Sequence, residues 1–127
     1  MLILNYSHPL TAEQIAQLTS MLGAEPTIRT IPVHINQQQS LAEQVVMLAD
    51  VAELSPDAWQ TTPLIINPPG LATAAQALLA EIHGRVGHFP AMLRLRPVAD
   101  STPVRYEVAE LVNLNQIREH ARTSRNP

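Results

Sequence analysis

Residues 63–84 read PLIINPPGLATAAQALLAEIHG, and the fold turns on this stretch. Pro63 to Ile66 is a compact apolar run bounded by breakers, the pattern of a buried strand. Pro68 and Pro69 fix their own φ and push Asn67 out of helical conformation, and Gly70 allows a close turn. From Leu71 the spacing changes. Leu71, Ala74, Ala75, Leu78, Leu79 and Ile82 share one helix face, whereas Thr73, Gln76 and Glu81 fall elsewhere. Strand, corner and helix make half of a βαβ unit. The first amides of such a helix lack intrahelical partners and carry the positive end of its dipole, so they readily receive phosphate or carboxylate. Ligands of an open parallel sheet collect beyond the carboxyl ends of its strands, which places Asn67, Gly70 and Thr73 at the mouth of any site. The corner reads equally as a plain tight connector. It is neither a GxGxxG nor a Walker sequence, so it indicates neither a dinucleotide nor a nucleoside triphosphate.

Upstream the same arrangement recurs. Leu2, Ile3 and Leu4 form an apolar run that opens into Asn5, Tyr6, Ser7, His8 and Pro9, a strand leading into a polar loop. Thr11 to Gln14 fits the capping box, with Leu10 and Ile15 placed as a hydrophobic staple. Ile15, Leu18, Met21 and Leu22 give the first helix its apolar stripe, and Gly23 is its C-terminal cap. Ile28 to Ile35 reads as a second strand, put at an edge or broken by Pro32. Asn36 and the glutamines after it form the exit loop. Ser40 to Glu43 is a second capping box, and Leu41, Val45, Leu48, Ala49 and Ala52 form the inner face of a second helix. Ser55 and Pro56 end that helix and start a short turn through Trp59.

Downstream, residues 83–88 read as the loop that returns from the third helix. His83, Arg85 and His88 resemble a catalytic cluster. That loop leaves a helix C-terminus, however, and so belongs at the end of the sheet opposite the Pro-Pro-Gly corner, where helix capping accounts for it. Ala91 to Val98 is a fourth strand, with Leu93 and Leu95 on one face and Met92, Arg94 and Arg96 on the other. Ala99 to Pro103 has turn composition. Val104 to Val112 is a fifth strand, paired antiparallel to the fourth as a hairpin, with Arg94 or Arg96 facing Glu107 or Glu110. Leu114, Ile117 and Ala121 mark a short last helix, and Thr123 to Pro127 reads as frayed. Three βα units before a terminal hairpin imply a single α/β domain over residues 1–127: a three-layer sandwich with a mainly parallel sheet. Adjacent first and third strands bring Asn5, Ser7 and His8 beside Asn67 and Gly70.

The 127 residues suffice for one real core, and with 46% hydrophobic but only 3% aromatic residues that core is aliphatic. The chain has no cysteine, which excludes disulfides, thiolate metal sites and a cysteine nucleophile. No metal and no cofactor are expected. The formal charge is -3, and every basic residue is an arginine. A duplex-coating protein needs a broad cationic face, so duplex nucleic acid is not expected as a partner. A few arginines aimed at a small anionic ligand remain compatible, because the guanidinium fork suits phosphate. The start MLILNYSHPL has no basic n-region and too short an apolar run for a signal peptide or a membrane span, so a cytoplasmic protein without a membrane partner is the expectation.

The opening LILNYSHPLT, the central IINPPGLATAAQALLAEIHGRVGHFPAMLRLRPV and the ending YEVAELVNLNQIREHAR resemble the small standalone proteins found beside type III CRISPR systems, relatives of the CRISPR-associated Rossmann fold (CARF) sensors. SHPLT, NPPG and HGRxGHFP carry the resemblance together; residues 24–60 add little to it. It implies a Rossmann-like (CARF-like) fold and a homodimer that binds cyclic oligoadenylate, most often cyclic tetra-adenylate, on its two-fold axis at the carboxyl ends of the strands. Phosphates would meet the helix N-termini after Pro9 and Gly70. Ser7, Asn67 and Thr73 would supply donors and Arg94 or Arg96 a charge, with Asn5, His8, Asn36, Pro69 and Gly70 completing the candidate ligand set.

Related ring nucleases cut such a ring by placing a ribose 2′-hydroxyl in line with the adjacent phosphate, without a metal. Here His8 is the one histidine at the expected site, and no second acid or base accompanies it. A receptor that sequesters the messenger is therefore the first expectation. A ring nuclease is the second, and a protein-interaction subunit without a small ligand is the third.

Overall fold

The computed structural model describes residues 1–125. Its elements run β1 (Leu2–Asn5), α1 (Ala12–Leu22), β2 (Thr27–Thr30), α2 (Leu41–Asp50), α3 (Pro56–Thr61), β3 (Leu64–Asn67), α4 (Ala72–Val86), β4 (Ala91–Pro97), β5 (Tyr106–Asn113) and α5 (Leu114–Thr123). Five strands form one sheet in the order β2-β1-β3-β4-β5. The first four are parallel, and β5 returns antiparallel to β4. This is an α/β fold, consistent with a Rossmann-like sandwich.

β1 and β3 lie inside the sheet and are buried on both faces, which is why each reads as a continuous apolar run rather than an alternating one. Their alternation still divides the core. Leu2, Leu4, Leu64 and Ile66 pack with Val45 and Ala49 of α2, Trp59 of α3, and Leu78 and Ile82 of α4. Ile3 and Ile65 pack on the other side with Leu18 of α1 and with Leu93 and Val108 of the hairpin. Right-handed crossovers require this division. The step from β1 to β2 goes one way across the sheet and the later steps go the other, so α1 and the later helices fall on opposite faces. Trp59 is buried, yet its Nε1 has no hydrogen-bond partner among the described residues, an omission that costs about 1–3 kcal/mol. The Arg85 guanidinium lies over the same ring, 5.6 Å from its centroid.

The expected capping box of α1 is present: Gln14 N donates to Thr11 Oγ1 at 3.2 Å and Thr11 N to Gln14 Oε1 at 2.9 Å. Gln14 has a second role, because its Nε2 donates to the Tyr106 carbonyl at 2.9 Å. Gln17 Oε1 accepts from Val108 N at 2.8 Å. Together the two glutamines occupy backbone groups of β5, an edge strand whose unpaired amides and carbonyls otherwise invite foreign strands.

Several expected boundaries are corrected. β2 ends at Thr30 rather than Ile35, because Pro32 cannot donate to the ladder and the chain leaves the sheet there. Residues 83–86 are helical rather than loop. Val86 extends the buried stripe of Ala74, Leu78 and Ile82, and the helix stops at Gly87, whose φ of 92° and N–H bond to the His83 carbonyl form the cap. Leu71 is the exposed N-cap of α4 and does not belong to that stripe, and Met21 is likewise exposed. The Ser40 side chain makes no capping bond. The Gln44 amide holds that loop instead, accepting from Asn36 N at 2.7 Å and donating to the Asn36, Gln39 and Ser40 carbonyls. Trp59 sits within α3, a helix rather than a turn. β5 begins at Tyr106 rather than Val104, leaving a longer hairpin loop. α5 is helical through Thr123, and of the expected frayed tail Asn126 and Pro127 lie outside the described residues. Among the described residues no helix is long and apolar enough to cross a membrane, and no cluster of three His, Asp or Glu side chains is arranged to hold a metal ion.

Candidate functional site

Chain order reverses between β1 and β3. From β1 the sheet grows outward to β2, then grows the other way through β3, β4 and β5. The loops that leave the two strands therefore diverge to opposite faces and open a crevice at their carboxyl ends, the usual ligand position of an open α/β sheet. Asn5 stands opposite Asn67 in the register, so the two polar strand ends are neighbours, as the sequence suggests. Beyond them lies an open cleft of about 1120 Å³ lined by Ser7, His8, Thr11, Gln14, Asn67, Gly70 and, from the hairpin, Arg94, Arg105 and Tyr106.

Asn5 builds this cleft from beneath. It is fully buried, and its amide is saturated. Nδ2 donates to the His8 carbonyl at 2.9 Å and to Thr30 Oγ1 at 3.4 Å, while Oδ1 accepts from Ser7 N at 3.1 Å and from Asn67 Nδ2 at 2.8 Å. One side chain thus fixes the Ser7–His8 loop, the exit of β2 and the side chain of Asn67. Asn5 positions groups at the cleft and has no hydrogen-bonding capacity of its own left over. Asn67 differs: it is 5% exposed and lines the cleft, and its Oδ1 has no partner among the described residues. That carbonyl is an acceptor awaiting an N–H or O–H. His8 is exposed at the rim, and Ser7 is half-buried beside it.

The first turn of α1 lines the cleft, whereas α4 begins just beyond Gly70 at its wall, and the two helix N-termini are not equivalent. α1 carries its capping box and has Glu13 in the first turn, which opposes an incoming anion. α4 has no side-chain cap and no acidic residue in its first turn. Its first helical bond runs from Ala75 N to the Leu71 carbonyl at 2.9 Å, so the amides of Ala72, Thr73 and Ala74 are left without helical partners. The anion preference therefore falls on α4. Arg94 pairs with Glu110 across the hairpin at 2.7 Å, and Arg105 with Glu13 at 3.6 Å. Both pairs are solvent-exposed and each contributes roughly 0–1 kcal/mol, so a phosphate can displace either carboxylate at small cost.

The remaining candidates fall elsewhere. Asn36 is exposed in the loop after β2, where its backbone is held by Gln44 and its Oδ1 accepts from Gln38 N at 2.9 Å. It does not line the cleft. Thr73 is exposed on the first turn of α4, outside the cleft lining. Pro69 is buried and lines a separate apolar recess of about 170 Å³, with Leu79, Met92 and Leu114 among its walls. His83, Arg85 and His88 cluster at the far end of α4. There His83 meets the edge of Phe89 at 4.5 Å between ring centroids, and Arg85 bonds Glu81 and Asp50.

Sequence reasoning missed Thr11, Arg105 and Tyr106 as cleft residues. Tyr106 is 54% exposed, an unusual position for an aromatic ring, and its backbone is pinned by Gln14. Its signal in the sequence was an aromatic residue at the mouth of a hairpin, unreadable without knowing that the hairpin overhangs the first and third strands. No family model, curated protein or solved structure matches the chain.

Proposed function

We propose that the cleft beyond β1 and β3 binds cyclic oligoadenylate, foremost cyclic tetra-adenylate, across the two-fold axis of a homodimer in the cytoplasm. Binding lowers the free messenger and damps type III CRISPR antiviral signalling. The observation that carries the reading is the open cleft at the point where strand order reverses, beside an uncapped α4 N-terminus and the unpartnered Asn67 Oδ1. Amides without partners suit phosphate. A carbonyl oxygen suits a base amine or a ribose hydroxyl, and the exposed Tyr106 ring offers a stacking surface for a base. A ring built from identical nucleotides presents the same face to each half of a two-fold assembly, so one cleft per chain suffices. The choice of messenger rests on the SHPLT, NPPG and HGRxGHFP resemblance, of which the last segment lies at the far end of α4 and serves its cap.

His8 favours a second reading. Among the described residues it is the one histidine that lines the cleft, and an imidazole is a side chain suited to assist attack of a ribose 2′-hydroxyl on the adjacent phosphate. Incubation of the protein with excess cyclic tetra-adenylate in chelator, followed by separation of bound, free and cleaved nucleotide over hours, decides between the two. Intact ring recovered at one per two chains supports sequestration. Linear adenylate accumulating beyond that amount, and lost in His8→Ala, makes the protein a ring nuclease.

A further inference from the structure

α5 has no buried residue, and a helix of ten residues is marginal in water by itself. Its first turn is tied down: Asn113 caps Gln116 N, the Asn115 side chain bridges the N–H and carbonyl of Phe89, and Arg118 lies over the Phe89 ring. Leu114 is half-buried at the wall of the Pro69 recess, but beyond that turn Ile117 and Ala121, which continue its apolar stripe, are left uncovered, with Ile117 57% exposed. Arg118, Arg122 and Arg125 rim this stripe, against a single carboxylate, Glu119.

A second uncovered face lies on α2. Val46, Met47 and Val51 point to solvent, Met47 at 66% exposure, although the opposite side of the same helix is packed in the core. Here the rim carries Glu43, Asp50 and Glu53, with Arg85 paired to Asp50 at 2.9 Å, and so is acidic on balance. The face borders a groove of about 390 Å³ whose walls include Asp50, Leu54, Trp59 and Arg85, so it has relief rather than being flat.

We infer that α5 of one copy docks on α2 of a second copy. Both faces are apolar at the centre and carry opposite charge at the rim, the arrangement that steers and fixes a specific contact. The same charges exclude the alternatives of like with like, since α5 against α5 sets arginines against arginines and α2 against α2 sets carboxylates against carboxylates. The two surfaces differ, so the contact is heterologous and repeats head to tail, into a ring or an open chain. It uses neither the cleft nor a two-fold axis through it.

Sedimentation velocity of the nucleotide-free protein over a concentration series tests this contact. Self-association that weakens as salt rises is expected, with Met47→Arg and Ile117→Glu each weakening it at least tenfold while leaving the melting temperature unchanged. Mixing the two variants restores association, with the two present in a one-to-one ratio and one α5–α2 contact per pair of unlike chains, because each keeps the surface the other has lost. Association that survives both variants, responds to Ile117→Glu alone, or fails to return on mixing overturns the inference. Any dimer formed through the cleft face persists in both variants, so the outcome leaves the ligand reading untouched.

Discussion

Asn5 and Gly70 show how differently two residues of one site contribute. All four hydrogen-bonding positions of the Asn5 amide are taken up inside the protein, by His8, Thr30, Ser7 and Asn67. Removing it leaves buried groups without partners, so Asn5→Ala is expected to cost about 2–3 kcal/mol of stability and to loosen the Ser7–His8 loop. Gly70 is the opposite case. Its φ is not left-handed, and a Cβ built on it meets nothing within 4 Å, so the fold does not require glycine there. Gly70→Ala is expected to leave stability level or to raise it by up to about 1 kcal/mol, because it restricts the unfolded chain. Gly70→Val places a branched side chain on the cleft wall and is expected to weaken ligand binding at an unchanged melting temperature. Urea unfolding and ligand titration of the three variants separate the roles; a large stability loss in Gly70→Ala contradicts this reading of the corner. Composition and spacing place both residues at the site, but they do not tell a residue that holds the loop from one that faces the ligand. That difference lies in hydrogen bonds to Thr30 and Asn67, which are distant in sequence.

At the scale of elements, α4 links the two ends of the molecule. Gly70, just ahead of its N-terminus, lines the cleft, and its last turn holds Arg85, which bonds Glu81 at 2.8 Å and Asp50 at 2.9 Å. Arg85→Ala is expected to lower stability by about 1 kcal/mol or less, since one partner is exposed, while ligand affinity stays within twofold of the native protein. Affinity that falls as far as in Asn67→Ala shows that the wrong end of the sheet has been taken for the site. The start of α4 is legible in the PPG corner because proline restrictions are local. Its end is not. Gly84 imitates a C-cap, yet Ile82 and Val86 keep the buried stripe running, and the left-handed turn comes three residues later at Gly87. β2 fails in a similar way. Its β-branched run extends to Ile35, but pairing stops after the Ile31 N–H bonds the Asn5 carbonyl at 2.8 Å, because Pro32 has no N–H to continue it, and the Ile31 side chain joins the core on the α2 and α3 side. α1 reads correctly from its capping box, whereas the reach of Gln14 and Gln17 to β5 depends on tertiary placement.

The whole molecule follows from two rules acting on five strands. Parallel strands need crossovers and crossovers are right-handed, so the reversal of strand order at β1 and β3 puts α1 and the later helices on opposite faces. Alternation of strands and helices gave the α/β class and the terminal hairpin directly. The order β2-β1-β3-β4-β5 was legible only where strand ends matched, at Asn5 and Asn67, and the hairpin wall of the cleft was not legible at all, because neither Arg105 nor Tyr106 differs locally from an ordinary edge-strand residue. The central claim is that this reversal point receives an adenylate ring. Calorimetric titration of the protein with cyclic tetra-adenylate in chelator tests it most directly. Saturable binding at one ring per two chains, weakened at least tenfold by Asn67→Ala, is the predicted result. Absence of binding together with an unchanged melting temperature in excess ligand would contradict it.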